Sequence, residues 1–138
     1  MNKSRGFSLL ELLIVVAIIL IIATIAIPSL LRSRQAANES GAVANLRTIN
    51  TAEVTYMSGN GGQYGDVTGL VADGLLDERF TSGVVGGYNY AITLSGANTN
   101  YVAVATAQST NTGRFNYYSA PDGVVRFSGG TNGGTPVQ

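Results

Sequence analysis

Between Leu12 and Ile27 sixteen residues pass with a single polar side chain, Thr24. Read outward to Phe7 and Leu31, the stretch FSLLELLIVVAIILIIATIAIPSLL is long enough to cross a bilayer as one helix, which needs about 20 apolar residues. A helix apolar on every side must be surrounded by lipid or by other chains. Two residues in it do not suit an ordinary membrane anchor. Glu11 lies inside the apolar part, and Pro28 lies near its end. Only six residues, MNKSRG, precede the run, with Lys3 and Arg5 as its bases.

A carboxylate within a membrane span costs about 2.5–3.5 kcal/mol on insertion scales. One account of Glu11 is local: it sits at the cytoplasmic edge and pairs with Arg5. The other joins Gly6, Phe7 and Glu11. A cut after Gly6 makes Phe7 a new N-terminus carrying an ammonium, with Glu11 one helical turn further on.

The pattern Lys-Ser-Arg-Gly followed by Phe-Ser-Leu-Leu-Glu-Leu-Leu-Ile-Val resembles the class III signal of type IV pilins and related pseudopilins. The match covers Gly6-Phe7, Glu11, the apolar run and Pro28. The resemblance implies a membrane peptidase that cuts between Gly6 and Phe7 on the cytoplasmic side and methylates the new amine of Phe7. It also implies that Glu11 pairs with the terminal amine of a neighbouring subunit. Physical chemistry agrees, because a buried carboxylate and ammonium on different chains satisfy each other, and mispairing leaves both uncompensated. Near the matching proline, the helix of such proteins can unwind in the filament, which here points to Thr24–Pro28.

Two other readings of the N-terminus compete. A secretory signal peptide has a shorter apolar core and a small-x-small cleavage site. Ala23-Thr24-Ile25-Ala26 has the wrong spacing for one. An uncleaved single-span anchor displaying a small binding domain needs neither Gly6 nor Glu11, and predicts no polymer.

Composition narrows the chemistry. The 138 residues suit one domain and an anchor. Net charge is zero; without MNKSRG, six bases stand against eight acids, a net −2. That bias is too weak to imply a nucleic-acid partner. With no cysteine and no histidine there is no disulfide, thiolate metal site, cysteine nucleophile or imidazole base. No Ser–Lys or paired-carboxylate setting replaces them, so an enzyme is not expected, nor is a cofactor or a metal.

Lys3 and Arg5 favour a cytoplasmic N-terminus. Arg32 and Arg34 follow the span, where lipid headgroups or acids of a neighbouring subunit can meet them. Pro28 deprives the Thr24 carbonyl of its donor, which fits either a helix end or a kink that the helix survives. A kink is preferred, because helical signals resume at once. Ala42, Leu46, Ile49, Ala52 and Tyr56 recur as one face of a helix suited to packing on a sheet. Arg32, Asn38, Glu39, Arg47 and Glu53 are assigned to the wetter faces. Gly41 weakens the helix by about 1 kcal/mol relative to Ala and can bend it. Ser58-Gly59-Asn60-Gly61-Gly62 stops it.

Residues 59–87 connect to a sheet, with one short helical turn within 67–77 that tucks in Leu70, Leu75 and Leu76. Asp73, Asp77 and Glu78 lie close in sequence, but the spacing of a calcium loop is missing, so a solvated loop outweighs a cation site. From Tyr88 the period is two. Strands are expected at 88–94, 101–107, 114–119 and 124–128, with Pro121-Asp122-Gly123 as a turn. The aromatic residues in them suit cross-strand packing better than nucleic-acid stacking or electron transfer. Asn38-Glu39-Ser40 fits a glycosylation sequon, as short patterns often do by chance. The tail 129–138 is rich in Gly and Thr and is expected to be mobile.

The expected fold is α+β: a long N-terminal helix, its first half transmembrane, packed on a small antiparallel sheet of about four strands. The organisation is a leader at 1–6, a transmembrane and filament-core helix at 7–31, an amphipathic continuation at 32–58 and a globular head at 59–138. The resemblance implies a structural subunit of a helical homopolymer, anchored in the inner membrane before assembly. It implies two partners, a prepilin peptidase that is also the methylase, and an inner-membrane assembly machine with an ATPase. Type IV pilus and type II secretion pseudopilus both fit. The acidic calcium loop of major pseudopilins and the C-terminal cysteine pair of many pilins are both missing, and the pilus is favoured.

Overall fold

A computed structural model of the protein describes residues 6–127 and 135–137. These fall into two compact units, one ending at Ser33 and the other beginning at Arg34. Helix α1, Leu9–Gly59, starts in the first and ends in the second.

In the first unit α1 is apolar on every side. Of the residues in its most apolar 18-residue window, none is buried. Among the described residues it is the one helix long and apolar enough to cross a membrane. Pro28 lies inside α1, so the helix does not end there, and it also runs through Gly41.

In the second unit α1 is one-sided. Ala42, Val43, Leu46, Ile49 and Ala52 are buried, and Tyr56 packs against them. The spacing of three and four that marks this face in the sequence is the spacing that reaches the core. Burying a side chain such as Leu46 or Ile49 is worth about 1.5–3 kcal/mol. The helix stops where Gly61 and Gly62 take positive φ of 66° and 85°, and the Gly62 N–H bonds the Met57 carbonyl at 3.0 Å.

A connection follows. Helix α2, Val67–Ala72, is capped by Asp66, whose carboxylate accepts the Gly69 N–H at 2.7 Å. Leu70 and Leu76 from this stretch are buried, and Leu75 is half-buried. A 3₁₀ turn, Glu78–Phe80, begins at Asp77 and buries Phe80.

The sheet is an antiparallel meander of six strands in sequence order: β1 Val84–Val85, β2 Tyr88–Ser95, β3 Asn100–Ala107, β4 Tyr117–Ser119, β5 Val125–Phe127 and β6 Thr135–Pro136. The four expected strands are its centre, and a two-residue strand is added at each edge. In the longest ladder, β2 with β3, Tyr88 faces Ala107 and Ser95 faces Asn100. Alternation puts Tyr88 and Tyr90 on the buried face of β2, and Tyr101, Ala103 and Ala105 on that of β3. These side chains and the α1 face form one core. Alanines at 103 and 105 leave room for the ring-bearing neighbours.

Two expectations need correction. The third strand starts at Tyr117, not Arg114. The Arg114 N–H is taken by the Glu39 carboxylate, and the Asn116 side chain accepts the Ala107 N–H, so the backbone here is committed elsewhere. The tail is not free along its whole length. Thr135–Pro136 pairs with β5, and the Val137 N–H bonds the Val125 carbonyl at 2.8 Å. The rest of 129–138 lies outside the described residues, as do Lys3, Arg5 and Ser128.

Candidate functional site

Gly6, Phe7 and Ser8 precede the first helical residue, so the Gly6–Phe7 peptide bond stands outside α1. Among the described residues nothing lies within 4 Å of where a Gly6 side chain would start, and Phe7 is 79% exposed. A peptide bond outside the helix and exposed is open to a peptidase. The helix begins with the Leu12 N–H bonded to the Ser8 carbonyl at 3.2 Å.

Glu11 is the acidic residue of the first turn, where the unsatisfied N–H groups and the helix dipole favour negative charge. It is exposed, and no ion pair or hydrogen bond joins its carboxylate to another described residue. The local partner considered for it, Arg5, lies outside the described residues. Around Glu11 stand Leu9, Leu10, Leu12 and Leu13, all more than half exposed. The arrangement is a carboxylate with no partner among the described residues, in an exposed apolar sheath, four residues after Phe7. Pro28 brings no described side chain to this group. Its chemistry is local, the missing donor for the Thr24 carbonyl. Arg32, Arg34 and Arg47 are exposed and form no ion pair with a described residue.

The second unit uses its polar residues differently, and three of the assignments to wet faces are overturned. Glu39 is buried at 7% exposure. It receives the Arg114 side chain through Nε at 3.1 Å and Nη2 at 2.9 Å, and the Arg114 backbone N–H at 2.8 Å. The Arg114 guanidinium holds its carboxyl below the usual glutamate value. Asn38 is half-buried, and its amide donates to the Thr112 carbonyl at 2.9 Å. That engagement commits the Asn38 amide to the loop after β3. Gln35 donates to the Thr110 carbonyl at 2.6 Å, so three α1 side chains hold the loop between β3 and β4. Glu53 is 0% exposed.

Asn50 escaped the sequence reading altogether. Its Oδ1 accepts the Tyr101 hydroxyl at 2.9 Å and the Ser119 hydroxyl at 2.6 Å, and its amide donates to the Gly123 carbonyl at 3.3 Å. One buried amide thereby ties α1 to β3, β4 and the turn after β4. An asparagine between Ile49 and Thr51 carries no local signal for this.

The other sequence features resolve into structure. Asp77 caps the 3₁₀ turn, accepting the Arg79 N–H at 2.9 Å. Among the described residues, no group of three or more His, Cys, Asp or Glu side chains is placed to hold a metal ion. The aromatic rings pack on one another: Tyr64 on Tyr101 with centroids 4.7 Å apart, and Phe80 on Tyr90 at 5.1 Å. Burial pushes the Tyr88 and Tyr101 hydroxyls well above their usual range. Both donate, to the Phe115 carbonyl and to Asn50. Asp122 accepts both ends of the Arg126 guanidinium, at 3.2 and 2.6 Å, beside the expected turn.

Comparison with known proteins gives one family model and three relatives. Residues 1–27 match the model of the prokaryotic N-terminal methylation motif. The type IV major pilin protein PilA of Myxococcus xanthus is 45% identical over 56 residues, 41% of this chain and 26% of that protein. The type IV wide pilus major component PilA4 of Thermus thermophilus is 37% identical over 75 residues, 54% of this chain and 57% of that protein. The type II secretion system core protein G of Escherichia coli is 32% identical over 59 residues, 43% of this chain and 41% of that protein. The chain thus spans between about a quarter and somewhat over half of these relatives. The chain therefore carries the prokaryotic N-terminal methylation motif and is similar over part of its length to type IV major pilins and a type II secretion pseudopilin, and it pairs a long apolar helix with an α+β unit containing an antiparallel sheet.

Proposed function

We propose that the chain is the structural subunit of a type IV pilus. It is held first in the inner membrane as a single-pass precursor. A prepilin peptidase cuts between Gly6 and Phe7 and methylates the Phe7 amine. An inner-membrane machine driven by an ATPase then moves α1 out of lipid into a helical surface filament. The role is structural rather than catalytic.

One observation carries this reading: Glu11 has no described partner, in the first turn of a helix whose apolar side chains are uncovered. A second copy supplies what is missing. The new ammonium at Phe7 answers Glu11, and the apolar sheath of one copy covers that of the next. Transfer from bilayer to bundle gains little solvation energy, since both are apolar. Close packing, the Phe7–Glu11 pair and the machine's work must drive it. A mispaired subunit leaves two charges uncompensated, so the pair sets the register. Pro28 and the carbonyl of Thr24 mark where α1 yields on assembly.

The likeness to core protein G supports a second reading, a pseudopilin of a type II secretion system with a periplasmic filament. Against it, Asp122 is spent on Arg126 rather than on an acidic loop. The test pairs two variants. Glu11→Ala is expected to abolish surface fibres seen by electron microscopy while the protein remains in the membrane. Gly6→Leu is expected to keep the six-residue leader attached by mass spectrometry. Normal fibre yield with the first, or normal trimming with the second, overturns the proposal. Fibres that form but never pass the outer membrane favour the pseudopilus.

A further inference from the structure

Glu53 has no part in that assembly scheme, yet it is the most unusual side chain of the second unit. It lies on the core face of α1 at 0% exposure. Its Oε2 accepts the Gly65 N–H at 3.0 Å, and its Oε1 is buried with no hydrogen-bond partner among the described residues. An ionised carboxylate offers about four acceptor sites, and this one fills a single site. Such a group is costly as an anion and tolerable as a neutral acid.

Everything that faces it favours the neutral form, save one N–H. From the segment after α1 come the Gly65 N–H and the carboxylate of Asp66. From β3 comes Tyr101, whose hydroxyl is donated to Asn50 and is itself held neutral. The Tyr64 ring packs edge-on against Tyr101. No arginine is ion-paired with Glu53 among the described residues. Burial pushes its carboxyl up to about 7, with the Gly65 N–H opposing and the Asp66 charge adding. The chain has no histidine and no cysteine, so no imidazole or thiol competes for control near neutrality.

The contact is also mechanical. Gly65 sits against the Tyr56 ring, where a Cβ would come within 3.0 Å. The segment before it is fixed at its far side by the Tyr64 N–H on the Asn98 carbonyl at 2.8 Å. The Glu53–Gly65 bond closes the near side onto α1.

We propose that Glu53 is a proton-dependent latch: as a neutral acid it lies closed under the 61–66 segment, and on ionisation the buried anion, whose Oε1 lacks a donor among the described residues, draws in water and opens that segment, an effect that outweighs the firmer hold an anion has on the Gly65 N–H. The sign follows from the raised value. The folded state holds this proton more tightly than the unfolded chain does. Stability is therefore greatest below the ordinary glutamate value, falls as pH rises toward 7, and is flat above. The latch is a property of the second unit and stands whether or not the chain polymerises.

The full-length protein in detergent micelles tests it, alone and as Glu53→Gln. Carbon-13 NMR of the Glu53 carboxyl is expected to titrate with a midpoint near 7. Hydrogen exchange at Gly65, corrected for intrinsic rate, is expected to lose protection by about tenfold or more between mildly acid and mildly alkaline pH in the wild type. The glutamine variant keeps the bond and is expected to show no such change. A carboxyl midpoint below about 5 overturns the proposal. So does an exchange profile at Gly65 that the glutamine variant shares. If the variant fails to fold, the wild type decides alone: Gly65 exchange must lose protection with the same midpoint as the carboxyl while amides of β2 and β3 keep theirs, and a Gly65 profile that does not follow the carboxyl overturns the proposal.

Discussion

Leu12 and Leu46 are the same residue type on the same helix, and α1 leaves one 57% exposed and the other 0%. Around Leu12 the helix is apolar on all sides. Its backbone groups are satisfied within the helix, so it needs no partner from its own chain and suits lipid or a bundle of copies. Around Leu46 the helix is apolar on one side, and the sheet covers that side with Tyr88, Tyr101 and two alanines. The glutamates of α1 repeat the contrast. Glu11 is exposed and without a described partner, Glu39 is buried and closed by Arg114, and Glu53 is buried with one oxygen that no described residue answers. One helix thus holds three carboxylates in three states, set by what covers each. Helical hydrogen bonds are indifferent to surroundings, whereas a carboxylate's cost depends on nothing else.

The contrast can be broken by truncation. Leu46→Ala is expected to destabilise the second unit by about 2–5 kcal/mol, since it opens a cavity in a covered core. Leu12→Ala, which uncovers nothing further, is expected to leave that unit unchanged. Thermal or denaturant unfolding of the full chain in micelles compares the two. Equal losses would mean that the two stretches are not distinct in kind.

A smaller effect sharpens the difference between paired and unpaired carboxylates. Arg114→Ala removes the guanidinium from Glu39 but leaves the residue-114 N–H, so a moderate loss of stability, smaller than that of Leu46→Ala, is expected at neutral pH. Glu39 lies below its ordinary value, so its contribution is present above that value and is lost as pH falls through the lowered one. The variant is expected to lose this acid-side dependence, read as melting temperature against pH. Glu53 acts in the opposite sense and governs the neutral side. The smallest effect is expected at the surface. Arg79 and Asp77 are 3.9 Å apart with both side chains more than half exposed, and Arg79→Ala should change stability by less than about 0.5 kcal/mol.

Much of this was open to reading along the chain. The run from Leu12 to Ile27 fixed a helix without a core. The spacing of Ala42, Leu46, Ile49 and Ala52 named a buried face, and Pro121-Asp122-Gly123 named a turn, closed by the Gly123 N–H on the Ala120 carbonyl at 2.9 Å. The edge strands were missed because two residues cannot display a period. The burial of Glu39 and Glu53 was missed although the spacing held it. Residues 39, 46 and 53 are seven apart and share a helix face with Leu46 at the centre. Residue type argued for water, position argued for the core, and position prevailed.

From its order of residues alone the protein is committed to an N-terminal apolar helix bearing Glu11, an amphipathic continuation and a run of strands. These depend on contacts between near neighbours, which a sequence displays directly. Tertiary structure alone decided that Arg114 closes Glu39, that Asn50 joins three parts of the head, and that Glu53 keeps one oxygen that no described residue answers. Each of the first two joins groups more than fifty residues apart, and the third depends on segments that only the fold brings over α1. A carboxylate's energy is set by whichever distant atoms reach it, and no local pattern records their arrival.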